Sequence, residues 1–280
     1  MTLLAFNPET ARTPTHLSAD KLHLGYRDRK IVHDLSVNIP PHRFTVIVGA
    51  NACGKSTLLR GLARLLAPTE GTVLLDGKSI HQMPTGDVAQ RMGLLPQTPV
   101  APQSILVADL VGRGRYPHQG WFRRWTRDDD RIVGEALTLT GVGDLGGRAL
   151  DELSGGQRQR VWIAMALAQE TGLLLLDEPT TFLDIAHQVE VLDLLTDLTR
   201  HQGRTIVAVL HDLNLACRYA DNLIAMKDGR IVAEGAPREI VTPDLVERVF
   251  GLTARIVTDP VSDTPMVVPL GRHHVANAAE

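Results

Sequence analysis

The residues Gly49, Ala50, Asn51, Ala52, Cys53, Gly54, Lys55 and Ser56 satisfy the pattern G-x-x-x-x-G-K-[ST] at every fixed position. Such a loop turns its backbone amides inward around the β- and γ-phosphates of a nucleotide, and the helix that follows adds the positive end of its dipole. Lys55 supplies a point charge, Ser56 offers a hydroxyl to a magnesium ion, and Thr57 is placed to hydrogen-bond an α-phosphate oxygen. Further on, Asp177 and Glu178 close an apolar run that begins at Gly172. Asp177 reads as a magnesium carboxylate acting through the ion's hydration shell. Glu178 reads as the general base that orients and polarises an attacking water. Between these two groups lies Leu153-Ser154-Gly155-Gly156-Gln157.

The elements that must hold these residues are legible around them. Thr45 to Val48 is a β-branched run that predicts a buried strand before the loop, and Leu58 to Leu66 predicts a helix after it, terminated by Pro68. The leucines ending at Asp177 are the pattern of a parallel strand covered on both faces, which delivers its carboxylates at the C-terminal end. Lys21 to Tyr26, Leu35 to Ile39 and Thr72 to Leu75 read as antiparallel strands, the last turning at Asp76-Gly77 into Lys78 to Ile80. Asp228-Gly229 is a second hairpin turn. Between about Pro99 and Gln157 the pattern becomes helical, with loops rich in Gly and Arg. Thr242-Pro243 starts a helix that ends near Gly251.

Length and composition narrow the class. The chain has 280 residues, enough for one large α/β domain or two lobes, and a net charge of −3, which leaves no electrostatic footprint for nucleic acid. Its longest apolar run, Val161 to Ala168, is far short of a membrane span. Met1 to Asp20 has neither the basic start nor the apolar stretch of a secretory signal. The two cysteines, Cys53 and Cys217, form no metal pattern and no disulfide framework, as suits a reducing compartment.

On the phosphate loop, the Asp177-Glu178 strand end and above all Leu153-Ser-Gly-Gly-Gln157, the chain resembles the nucleotide-binding subunits of ABC transporters from about Leu22 to Pro269. The resemblance implies an α/β fold: a RecA-like P-loop NTPase core with an antiparallel β subdomain and an inserted α-helical subdomain. It divides the chain into an extension (1–18), a nucleotide-binding domain (19–258) and a tail (259–280). Within the domain, 19–98 holds the β subdomain and the first part of the core. The helical subdomain with the signature spans 99–165, and 166–258 resumes the core. It implies ATP and Mg²⁺ as cofactors and a homodimer in which Ser154, Gly155, Gly156 and Gln157 of one copy cap the γ-phosphate held by the other. Matched to the family pattern, Gln97 reaches magnesium and the lytic water, His211 contacts the γ-phosphate, Asp184 couples the two copies' sites, and Tyr26 stacks on adenine. Thr181 and Phe182 depart from the Ser and Ala of many relatives.

The segment Val111-Gly-Arg-Gly-Arg-Tyr-Pro-His118 with Gln119 to Trp125 joins aromatic and arginine residues in a loop, as a docking surface does. With Thr180 to His187, His211 to Tyr219 and Asp259 to Arg272, it resembles the ATPases of bacterial ferric siderophore importers, with haem and vitamin B12 importers as further relatives. That likeness implies two transmembrane permease subunits, an extracytoplasmic substrate-binding protein, and a peripheral position on the cytoplasmic face of the membrane. His273-His274 reads as part of a polar tail.

Overall fold

The computed structural model describes residues 15–27, 29–119, 125–181 and 183–271. In chain order the elements are β1 (Leu17–Tyr26), β2 (Arg29–Ile39), β3 (Phe44–Gly49), α1 (Lys55–Leu62), β4 (Glu70–Leu75), β5 (Lys78–Ser79), α2 (Thr85–Ala89), β6 (Met92–Leu95), α3 (Val107–Gly112) and α4 (Arg127–Leu139). They continue with α5 (Gly155–Ala168), β7 (Leu173–Asp177), α6 (Ile185–Gln202), β8 (Thr205–Val209), α7 (Leu213–Tyr219), β9 (Asn222–Lys227), β10 (Arg230–Gly235), α8 (Pro237–Ile240), α9 (Pro243–Phe250), β11 (Ala254–Thr258) and β12 (Pro265–Pro269). Contacts group them into two compact units. Of the described residues, the first takes in 15–17, 39–43 and those within 74–208; the second takes in those within 18–38, 44–73 and 209–271. His273-His274 lies outside the described residues, as do Phe182 and 120–124 of the aromatic-arginine loop.

In the first unit the strands run in the order β8-β7-β6. β6 and β7 are parallel, in register from Met92 opposite Leu173 to Leu95 opposite Leu176. Every residue of β7 and β8 is buried, the outcome expected for continuous apolar runs in a sheet covered on both faces. The insert is helical as the sequence predicts, with α3, α4 and α5 packed on one another. Its loop corrects one reading. Arg115 is buried and donates to Asp129 Oδ1 (2.9 Å), Glu170 Oε2 (2.8 Å) and the Ala168 carbonyl (2.9 Å), so it braces the insert and is not part of a docking surface. Thr126 caps α4 by bonding reciprocally with Asp129, which gives that carboxylate a second job. Tyr116 and Trp125 do stand exposed.

In the second unit β3 lies parallel to β9, with Thr45 opposite Asn222 and Gly49 opposite Met226, and β10 returns antiparallel to β9. The turn between them is Asp228-Gly229, at φ 47° and 72°, the left-handed pair that a tight hairpin requires. β2, β1 and β4 are neighbours in that order in an antiparallel sheet. β1 and β2 start earlier than the sequence predicts: β1 already alternates at its start, with Leu17 and Ala19 buried between Ser18 and Asp20, while β2 opens on the exposed Arg29 and Lys30. α1 spans Lys55–Leu62 and not 58–66: Gly54 caps it early, and the left-handed Arg64 (φ 63°) breaks it before Pro68. α9 follows its prediction, with Thr242 accepting from the Leu245 amide, Pro243 in the first turn and Gly251 at φ 66° as the stop. Beyond it, β11 and β12 form a hairpin fastened to α7. Asn214 donates to the Val267 carbonyl (3.2 Å) and accepts from its amide (2.7 Å), while Arg218 pairs with Asp259 (2.6 Å).

Candidate functional site

In the second unit the loop Gly49–Gly54 leaves β3 and enters α1, the strand-loop-helix setting that lets backbone amides converge on phosphate. Gly49 has φ 156°, and a Cβ there would fall 2.3 Å from the Met226 carbonyl oxygen and 2.7 Å from Cys53 Sγ, so no other residue fits. Ala52 adopts φ 61° within the loop, a strained choice for a residue with a side chain. The amide of Gly229, in the β9–β10 turn, donates to the Cys53 carbonyl (2.9 Å) and fixes the loop from behind. A Cβ on Gly229 would sit 1.9 Å from the Ile31 carbonyl oxygen, so this brace too demands glycine.

Lys55 is buried, at 5% exposure, and its ammonium donates to the carbonyls of Gly49 (2.9 Å) and Ala50 (3.0 Å). Both acceptors are neutral. They hold the ammonium at the start of the loop while leaving its charge for an anion, which is how the loop fits a nucleotide triphosphate. An open cavity of about 600 Å³ lies at this end, lined by Gly49, Ala50, Asn51, His211 and Phe250. His211 thus lines the same cavity as the first residues of the loop. Asp212 beside it caps α7 by accepting from the Leu215 amide. Cys53 is buried, and burial raises its thiol pKa above the ordinary value despite the opposing charge of Lys55. Tyr26 ends β1 at 44% exposure and accepts a hydrogen bond from Arg60 on α1 (3.2 Å), which leaves much of its ring in solvent.

The first unit carries the other candidates. The β6–β7 register puts Gln97 and the pair Asp177, Glu178 at the same C-terminal sheet edge, where ligands of parallel sheets bind. Asp177 is 2% and Glu178 is 8% exposed. Glu178 takes φ 57°, a left-handed turn straight after the strand, and its Oε2 accepts from Thr181 Oγ1 (3.0 Å). Thr181 therefore holds the carboxylate, a role its sequence position did not disclose. Gln159 on α5 donates to the Pro179 carbonyl (2.9 Å), tying the signature helix to the same turn. Ser154 caps α5: its Oγ accepts from the Gln157 amide (3.2 Å) and the Gln157 side chain accepts from the Ser154 amide (3.1 Å). Gly156 packs 3.6–3.8 Å from Leu183 and His187, beside Asp184, when a Cβ is placed on it. Asp184 caps α6; bonds from the His187 amide (2.9 Å) and ring (2.7 Å) hold its pKa below the ordinary value.

Fold and loop define a P-loop nucleotide-binding protein. The family model described as ABC transporter matches residues 32–181, and the chain belongs to that family, as an ATP-binding subunit that hydrolyses ATP. The ferric enterobactin transport ATP-binding protein of Escherichia coli K12 is 55% identical over 91% of this chain and 94% of its own. A metal-chelate type ABC transporter solved in an inward-facing conformation superposes with TM-score 0.79 at 30% identity, covering 92% of this chain and 98% of that one. A dimeric ATP-binding cassette carrying ADP and Pi gives TM-score 0.70 at 27% identity, covering 79% and 98%.

Proposed function

We propose that the chain is the ATP-hydrolysing subunit of an importer that carries an iron-siderophore complex across the cytoplasmic membrane. The 55% identity to the ferric enterobactin subunit over nine-tenths of the chain is the observation that carries this reading. In it the protein acts as a homodimer under two membrane-spanning permease subunits, on the cytoplasmic face, and an extracytoplasmic binding protein delivers the cargo through the permease. Among the described residues no helix is long and apolar enough to cross a membrane.

Within each site Lys55 neutralises the β- and γ-phosphates, the loop amides surround them, and Tyr26 stacks on adenine. Glu178, held by Thr181, takes the proton of the attacking water. Gln97 orients that water, and His211 stabilises the charge gathering on the γ-phosphate. Ser154 and the free amides of α5 reach the γ-phosphate of the opposite copy, and Asp184 links the two sites. Magnesium would be held by the oxygen donors Ser56, Asp177 and Gln97 and would screen the phosphate charge.

The reading is tested by purifying the chain with its permease, reconstituting both in liposomes with the binding protein, and offering iron-loaded catecholate and hydroxamate chelates, haem or cobalamin. ATP-dependent accumulation of a ferric chelate is expected, abolished by Glu178→Gln, which retains bound ATP. Accumulation of haem or cobalamin alone, or a permease that moves no chelate, overturns it.

A further inference from the structure

The cavity at the start of the phosphate loop has one lining residue that neither charge nor motif accounts for. Gly49, Ala50 and Asn51 form its floor, and the Lys55 ammonium bonded to the first two carbonyls marks this as the γ-phosphate end. His211 makes one wall and Phe250, the last residue of α9, makes another. Both walls are held by the C-terminal elements. α9 is capped by Thr242, stopped at Gly251 and bound through Lys227 Nζ to the Arg248 carbonyl (2.7 Å). α7, which starts two residues after His211, is clamped by the β11–β12 hairpin through Asn214–Val267 and Arg218–Asp259. α9 in turn packs on β11.

We propose that Phe250 is a positioning residue of the nucleotide site, whose ring walls the γ-phosphate end of the loop and holds the His211 imidazole toward it. The inference rests on the ATPase reading of this site. A phenyl ring donates no hydrogen bond and carries no charge, so it acts through shape and by excluding water. Around a triphosphate, water exclusion strengthens each charge interaction that Lys55 and His211 make. Its influence falls on ATP and spares ADP, which has no γ-phosphate to fill the cavity. It also acts through His211.

The test uses the full chain with radiolabelled ATP and ADP, measuring binding and single-turnover hydrolysis. Phe250→Ala is expected to slow hydrolysis of bound ATP about tenfold. ADP affinity should not change, and Phe250→Tyr, which keeps the ring, should restore the rate. In a His211→Ala background the same substitution should add no further loss, because the two act as one unit. Phe250→Leu replaces Phe250→Ala, with the same expectations, if thermal melting shows the alanine variant unfolded. Wild-type hydrolysis in the variant, or an equal loss with and without His211, overturns the inference and leaves the ATPase reading standing. A wild-type chain that fails to hydrolyse ATP overturns both.

Discussion

At the scale of single residues the phosphate loop is held in an unfavourable conformation that its surroundings enforce. Gly49 and Ala52 sit at positive φ, Lys55 is buried on two carbonyls, and Cys53 between them is buried as well. The thiolate is the reactive form, so burial, which raises the Cys53 pKa above the ordinary thiol value, keeps the group protonated and unreactive at neutral pH. N-ethylmaleimide should therefore label Cys53 of the native chain slowly at about pH 7.5, at least tenfold more slowly than in urea, where the ordinary cysteine pKa of about 8.5 returns. Peptide mass spectrometry over time measures both rates. Native labelling as fast as in urea would mean that the loop opens readily, and the rigid cradle drawn from Gly49 and Gly229 would be wrong. The loop itself was legible in the sequence because its chemistry is local: glycine, lysine and serine at fixed spacing carry their own reason. Thr181 and Phe250 were not, since a hydroxyl three residues from Glu178 and an aromatic at a helix end have no signature until the fold brings them to their partners.

At the scale of elements, local grammar predicted what local forces decide and missed what packing decides. The Asp-Gly turns, the Thr242 cap and the leucine strand before Asp177 formed as read, because each depends on backbone preference or on a continuous apolar run. The arginine at 115 went the other way. Its neighbours in sequence are glycine and tyrosine, and nothing there announces that Asp129 and Glu170 will meet it from α4 and the end of α5. Arg115 and Asp129 are 3% and 1% exposed, so removing the cation strands a buried carboxylate. Arg115→Met should destabilise the chain by about 3–5 kcal/mol in urea melts. Burial alone would raise the Asp129 pKa, yet the bonds from Arg115 and Thr126 outweigh it and hold the value below 3.8. A depressed native pKa contributes stability above the unfolded value and loses it as pH falls. The gap between wild type and Arg115→Met is therefore expected to be full at neutral pH and to shrink as pH falls, beginning above the ordinary carboxylate value because the stranded Asp129 of the variant takes up its proton early. A loss under about 1 kcal/mol at neutral pH would place the guanidinium in solvent.

At the scale of the whole molecule, the candidate residues fall into two sets: Tyr26, the loop and His211 in one unit, and Gln97, Asp177, Glu178, Ser154 and Asp184 in the other. A homodimer that sandwiches ATP would use Ser154 from one copy against the loop of its twin, and nucleotide would then drive association, because closed and open states bind it differently. Ser154 has a second role that any test must separate, since its hydroxyl caps α5. Two substitutions divide the roles. Ser154→Ala removes the cap and should lower stability by about 1 kcal/mol. Ser154→Asp keeps an excellent cap and should leave the melting temperature near that of wild type, while its charge faces the γ-phosphate of the opposite copy and repels it. In a Glu178→Gln background that retains ATP, sedimentation should find wild-type Ser154 dimeric with ATP and Ser154→Asp monomeric at the same nucleotide concentration. An aspartate variant that dimerises as readily as the serine parent would show that this helix end never meets the nucleotide, and the shared site would have to be built from other residues.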